Sequence, residues 1–273
     1  MAEGTATDAG VARVEGAFAV ARDQGRAALM PYMMGGFPDQ ETATAVATAY
    51  ADAGADLIEL GIPFSDPLAD GPVIHAADTA ALAAGATLGT VLETCDAIAD
   101  RVPVALMCYA NMVLAVGVEH FAAIAADARA AAVIVPDLPL EEQGEIDEAL
   151  AGQGLVLVPL VAPTTPPERL GTICARARGF VYIVSTRGVT GERHGLPPEL
   201  EQLVAAVKEE ASVPAAVGFG ISTPEQAAEV GAIADGVIIG SRLVREVADA
   251  PDRDAAVAGV SEFLSETRAG LAR

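Results

Sequence analysis

Residues 27–62 read AALMPYMMGGFPDQETATAVATAYADAGADLIELGI. An apolar run at 27–34 leads into Gly35-Gly36-Phe37-Pro38, an amphipathic segment at 40–53 and a second apolar run at 56–62. Strand, helix and strand in that order form a βαβ unit, because a helix returning the chain leaves the two strands parallel. Two common architectures repeat this unit. The doubly wound nucleotide-binding fold places a GxGxxG after the first strand, and the Gly-Gly-Phe-Pro found here does not fit it.

The pattern continues to the end of the chain. Further strands are predicted at 103–109, 131–135, 155–159, 180–184, 213–217 and 235–239. Amphipathic segments lie at 76–84, 88–101, 118–129, 140–152, 167–177, 197–211 and 223–231. Eight strands in 273 residues match the roughly 250 residues usual for a (β/α)8 TIM barrel. The expectation is an α/β fold with one barrel domain over 1–273. An extra helix precedes the first strand (8–23) and another ends the chain (253–271). No linker or low-complexity tract interrupts the alternation.

Composition narrows the chemistry. The chain is 52% hydrophobic and 20% charged, a globular balance. With 38 acidic against 16 basic residues its net charge is −22, which argues against nucleic acid and anionic membrane surfaces. An anionic ligand must therefore be held by backbone N–H groups or a few placed side chains. Cys95, Cys108 and Cys174 are widely spaced and form no CxxC, so they read as reduced and buried, as in a cytoplasmic protein. The first residues, MAEGTATDAGVARVEGAF, lack the basic and apolar regions of a signal peptide. No apolar run approaches the ~18 residues of a membrane span.

Barrel catalysis takes place at the C-terminal strand ends, in the βα loops. At the second strand end, Glu59 shares its parity with Leu57, Gly61 and Pro63, while Ile58, Leu60 and Ile62 face the other way. The aliphatic set suits the layer against the helices. Glu59 is thus expected to point into the barrel near the rim, where lost hydration raises its pKa toward the range of general acid–base work. The competing reading is a buried structural Glu in a hydrogen-bond network. The following loop, PFSDPLADGP (63–72), carries Asp66 and Asp70; either can serve chemistry or merely cap a turn.

Three Gly-bearing loops follow the last three strands: STRGVTG (185–191), GFGIST (218–223) and GSR (240–242). Such loops, with a helix N-terminus, hold phosphate in many barrels. Ser222 and Glu225 fit a capping box, and Ser241 offers a hydroxyl donor.

The single lysine, Lys208, lies in a helical run ahead of the seventh strand, which disfavours Schiff-base or PLP chemistry in this chain. His75, His120 and His194 show no metal-ligand spacing, so no metal is expected, and His120 reads as a helix-surface residue. What remains is carboxylate chemistry on a phosphorylated substrate without a cofactor.

The segments ELGIPFSDPLADGPVI (59–74), YAN (109–111), PDLP (136–139), GVTG (188–191), GFGIS (218–222) and GSRLV (240–244) resemble the tryptophan synthase alpha chain family, in order and over essentially the whole length. The resemblance implies retro-aldol cleavage of indole-3-glycerol phosphate to indole and glyceraldehyde 3-phosphate. It implies that Glu59 and Asp70 are catalytic. Gly191, Gly220, Gly240 and Ser241 fall on phosphate-binding positions. Tyr32, Tyr182, Thr190 and Phe219 fall around the substrate, although Tyr32 and Tyr182 taken alone would read as core. It further implies an α2β2 complex with a PLP-containing beta chain that takes up the indole. Pro63, Asp66 and Asn111 fall on that interface. The chain departs from the family pattern at His75, where Gln is usual, in Met33-Met34-Gly35-Gly36, and at Arg193-His194. Two other readings fit the same motifs: a stand-alone lyase that releases free indole, and a catalytically idle barrel serving as an activator subunit.

Overall fold

Caps and prolines set the helix starts. A computed structural model describes residues 9–184, 196–218 and 220–272. In chain order the elements are α1 (Ala9–Asp23), β1 (Ala28–Met34), α2 (Gln40–Asp52), β2 (Ile58–Gly61), α3 (Pro72–Ala83), α4 (Leu88–Ile98), β3 (Val104–Met107), α5 (Ala110–Val116), α6 (Val118–Asp127) and β4 (Ala132–Ile134). They continue with α7 (Gly144–Gly152), β5 (Val156–Val158), β6 (Leu160–Val161), α8 (Pro167–Arg176), β7 (Val181–Val184), α9 (Pro198–Glu210), β8 (Ala215–Gly218), α10 (Pro224–Ile233), β9 (Gly236–Ile239), α11 (Ser241–Asp249) and α12 (Arg253–Gly270). Asp39 caps α2 by accepting the Thr42 amide, and Asp252 caps α12 through the Ala255 amide. Helices α3, α8, α9 and α10 each open on a proline, which loses no hydrogen bond at that position.

The strands pair in parallel, in the order β5-β4-β3-β2-β1-β9-β8-β7-β6. The two edge strands are consecutive in the chain. Pro159 separates them: it has no N–H for the ladder, yet its carbonyl accepts the Tyr182 amide at 2.9 Å. Pairing therefore passes from β4 to β7 within the run 156–161, and the sheet curls into a nearly closed α/β barrel. The expected fifth strand (155–159) is this run, split and extended to Val161.

Two further differences are local. Helix α3 begins at Pro72, four residues before the predicted 76. The short helices α5 and α11 occupy stretches expected to be loop or left unassigned.

Strand parity divides the core into layers. Ala28, Met30, Leu57, Ala105, Ile134, Val158, Tyr182, Ala216 and Ile238 cluster inside the barrel. Helix α1 seals the N-terminal end with Val14, Phe18 and Ala21, and Phe18 meets Phe180 with ring centroids 5.6 Å apart. Ile58, Leu60 and Ile62 belong instead to the outer layer beneath the helices.

At the same end, Arg26 makes a bidentate pair with Asp56 at 2.5 and 2.7 Å. Asp56 also accepts the Leu29 amide at 2.8 Å, so β1 is fastened to the turn before β2. The two side chains are only 5% and 7% exposed. Removing one member of such a pair strands the other charge in a dry site. Asp56→Ala should destabilise the fold by about 3–5 kcal/mol in urea unfolding. The exposed Arg101–Asp52 pair supplies the control: Arg101→Ala should cost less than about 1 kcal/mol.

Candidate active site

Glu59 is the second residue of β2, side by side with Tyr32 of β1 in the sheet register. It is 1% exposed. Neither carboxyl oxygen makes a hydrogen bond. Burial pushes its pKa up to about 8; the nearby Tyr182 hydroxyl offsets this in part without reaching hydrogen-bond geometry, and Asp70 adds a further push upward. At neutral pH Glu59 is a carboxylic acid with a proton to give.

Two tyrosines lie over glycines to make the chamber wall. A Cβ on Gly61 would come within 2.3 Å of the Tyr32 hydroxyl oxygen, and one on Gly218 within 2.8 Å of the Tyr182 hydroxyl oxygen. Only glycine lets these rings lie flat against the neighbouring strand. The Tyr32 phenol feels Asp70, Asp78, Glu59 and Tyr109, and the Tyr182 phenol feels Glu59 and Asp70; burial above all keeps both protonated. Both rings are core residues, as their side chains alone suggested, and both also face the acid.

Asp70 arrives on the loop between β2 and α3. Tyr109, the last residue before α5, donates its hydroxyl to Asp70 Oδ2 at 2.8 Å and accepts the Ala69 amide at 3.0 Å. Partial burial raises the Asp70 pKa, while the Tyr109 bond and His75 pull it down. Asp66 is exposed and accepts the Ser65 hydroxyl at 2.5 Å, turned away from this network. The structure thus separates two aspartates that their spacing left equivalent. The loop position of Tyr109 is visible in the sequence; its grip on Asp70 is not. The PDLP segment is structural here: Asp137 accepts the Ala110 amide at 2.9 Å and fixes the start of α5.

On the opposite rim, Gly220 adopts a left-handed φ of 63°. Gly240 precedes α11, with no side chain capping the helix. Ser241 is the exposed first residue of α11, and the Leu243 amide of the same turn donates to the Gly240 carbonyl at 2.9 Å. The expected cap at Ser222 is displaced by one residue. Thr223 caps α10 because Pro224 occupies its first position, and Ser222 bonds Gln226 instead. Thr190, Gly191, Phe219, Arg193 and His194 lie outside the described residues.

Among the described residues no cluster of His, Cys, Asp and Glu could hold a metal ion. Lys208 pairs with Asp235 at 2.9 Å, away from the rim, and His120 is exposed on α6. No single helix among the described residues is long and apolar enough to cross a membrane.

A family profile for the tryptophan synthase alpha chain matches residues 18–271. The chain belongs to the tryptophan synthase alpha chain family. It is 49% identical to the alpha chain of a Synechococcus strain over 249 residues, covering 90% of this chain and 92% of that one. It is 43% identical to that of Chloroflexus aurantiacus over 266 residues, covering 96% and 100%. Among solved structures it resembles Mycobacterium tuberculosis tryptophan synthase at a TM-score of 0.88 and 37% identity, over 96% of this chain and 98% of that one. The family cleaves indole-3-glycerol phosphate to indole for the beta subunit, a carbon–carbon lyase reaction. The alpha chain uses no cofactor; PLP belongs to the beta chain.

The protonation of Glu59 has a consequence for stability. An unfolded Glu loses its proton near pH 4.5, whereas the folded one keeps it until about pH 8. The native state thus binds the extra proton between those values, and stability falls as pH rises through that window. Glu59→Gln removes this dependence. Thermal melts should show the Gln variant gaining on the wild type from pH 5 to pH 8, by at least about 1 kcal/mol in total. A constant difference would mean that Glu59 is ionised in the fold.

Proposed function

We propose that Glu59 and Asp70 carry the cleavage of indole-3-glycerol phosphate, and that the carrying observation is the acid–anion contrast between them. Glu59 is buried and protonated, and Asp70 is partly exposed and tied to Tyr109. In this reading Glu59 gives its proton to indole C3. The glycerol hydroxyl then loses its proton to the Glu59 carboxylate as the bond between indole and the glycerol carbon breaks. The carbon with the hydroxyl becomes the aldehyde, and the bonding pair returns to the indole ring. Asp70 accepts a hydrogen bond from the indole N–H and stabilises the positive charge held on the ring between the two steps. Tyr32 and Tyr182 wall the indole site, together with Thr190 and Phe219. The phosphate is held by backbone amides at Gly220, Gly240 and Ser241, and at Gly191. Helix α11 supports this reading because a helix N-terminus supplies donors and a favourable dipole without a basic side chain.

The partner in this reading is a PLP-containing beta chain in an α2β2 complex, and the compartment is the cytoplasm. The rim offers a surface for it. Leu68 is 86% exposed on the loop after β2, and Leu114 is 59% exposed on α5, which follows β3. Asp66 and Asn111 are exposed beside them, whereas Pro63 is buried and shapes the loop from below. Exposed apolar side chains that join into one patch mark a docking surface, and Leu68 and Leu114 are candidates for such a patch.

Indole release from indole-3-glycerol phosphate, measured with and without the beta chain, tests the assignment. Glu59→Gln should abolish turnover while the fold is kept; near-normal turnover would sink the reading. Asp70→Asn should cost at least ~10²-fold, and a loss under about threefold removes Asp70 from the chemistry. For the interface, Leu68→Asp should weaken beta-chain binding about tenfold or more, equivalent to about 1.4 kcal/mol. Its activity in isolation should stay unchanged, and titration calorimetry against the beta chain would measure the loss.

A further inference from the structure

Asp78 is a buried acid that the proposed chemistry does not use. It sits on α3 and is 1% exposed. Its Oδ1 accepts the Phe64 amide at 3.0 Å, while Oδ2 is buried without a hydrogen-bond partner. Phe64 packs its ring on Tyr109, with centroids 5.3 Å apart. Tyr109 in turn holds Ala69 and Asp70. The loop that carries Asp70 is therefore pinned near both ends. Asp78 fixes its start and Tyr109 fixes its finish, and the Phe64 ring links the two.

We propose that Asp78 is a positioning residue: from beneath the loop it holds the Phe64 amide, and so sets where Tyr109 and Asp70 stand relative to Glu59. An asparagine or a serine would accept the same amide, so one acceptor does not explain a carboxyl here. The second oxygen does. Protonated, Asp78 is a neutral strut; ionised, it is a second negative charge beside Asp70. Asp70 faces it from the loop, Tyr109 from the segment after β3 and Tyr32 from β1; His75 on the same helix acts on Asp70, and α11 meets α3 through the apolar Val244 and brings Arg245 alongside Pro72, Val73, Ala76 and Ala77. Burial raises its pKa to about 7, opposed by the Phe64 amide and reinforced by the Asp70 charge. Below that pH Asp78 is a neutral group beside Asp70. Above it the carboxylate still accepts the Phe64 amide, but it repels Asp70, and in this proposal that repulsion loosens the Asp70 contact with Tyr109.

This inference rests on the role proposed for Asp70, and its test separates the two. The assay is indole release from indole-3-glycerol phosphate by the chain assembled with its beta subunit, across pH 5 to 9. Asp78→Ala removes the acceptor and should lower kcat by ~10-fold to 10²-fold, the scale of a misplaced group, with little change in KM. Asp78→Asn keeps an acceptor for Phe64 and removes the titration. It should restore kcat to within about threefold of wild type and move the alkaline fall of activity upward, leaving only the ionisation of Glu59. Asp78→Ala within about twofold of wild type would overturn the proposal, as would an unchanged alkaline limb in Asp78→Asn. Should the alanine variant fail to fold, the alkaline limb of the asparagine variant decides. Asp70→Asn is run beside them: if it keeps full activity, the Asp70 role falls on its own evidence, whatever Asp78 does.

Discussion

A carboxyl group buried without a hydrogen-bond partner is the constraint around which the rim is built. Leaving a polar group dry and unpaired costs on the order of 1–3 kcal/mol, and far more for a full charge. Glu59 meets this constraint by keeping its proton. Its surroundings make that the only stable choice. Below it the barrel interior is aliphatic, with Leu57, Met30 and Ala105 in one cluster. Beside it, Gly61 and Gly218 admit two tyrosine rings that displace water. Among the described residues, burial, Tyr182 and Asp70 are the influences on its proton, and none of them is a lysine or arginine. The same features that make the site unfavourable for a carboxylate make it a reservoir for one proton.

The second acid obeys a different rule. Asp70 stands on a loop and is only partly buried; burial raises its pKa, while the Tyr109 hydroxyl and His75 favour its charged form. A charge on a loop is of little use unless its position is fixed, and Tyr109, in the segment between β3 and α5, fixes it. Two carboxyls in divergent environments, one fully buried and one partly exposed, would in the proposed reading let one fold run acid chemistry and cation stabilisation together. Each feels the other. The charge on Asp70 raises both Glu59 and Asp78, so ionising one aspartate helps keep its neighbours protonated.

How much of this was legible in the sequence follows from how local each determinant is. The barrel and the inward aim of Glu59 follow from period-two alternation in short apolar runs, and parity placed Leu57 and Ile58 in their separate layers. Splitting of the fifth strand was less legible, because Pro159 acts through its bonds to β7, a partner the sequence does not reveal. Helices α5 and α11 are 7 and 9 residues long, too short for their periodicity to stand out from a loop. Asp66 and Asp70 could not be told apart by composition, since only the tyrosine across the rim distinguishes them. Asp78 left no signal at all: one acid in the Ala-rich helix HAADTAALA looks like a solvent-facing residue until α3 is packed with that face inward.

The charge of the chain adds a last constraint to the anion side of the site. A net charge of −22 repels any phosphorylated substrate at long range. The attraction must then be short-ranged, and a helix terminus is suited to that, because its effect is confined to about one turn. Backbone amides at Gly220, Gly240 and Ser241 would select a phosphate that fits the barrel mouth, while the acidic surface turns away nucleic acids and other polyanions. The acids at the rim fit the same logic. Added ionised carboxylates would oppose the substrate as it arrives, so in the proposed reading a protonated Glu59 would serve binding as well as chemistry. One neutral acid, one anchored anion and a set of uncharged donors form a combination that a basic pocket could not provide, since a lysine near Glu59 would have taken its proton.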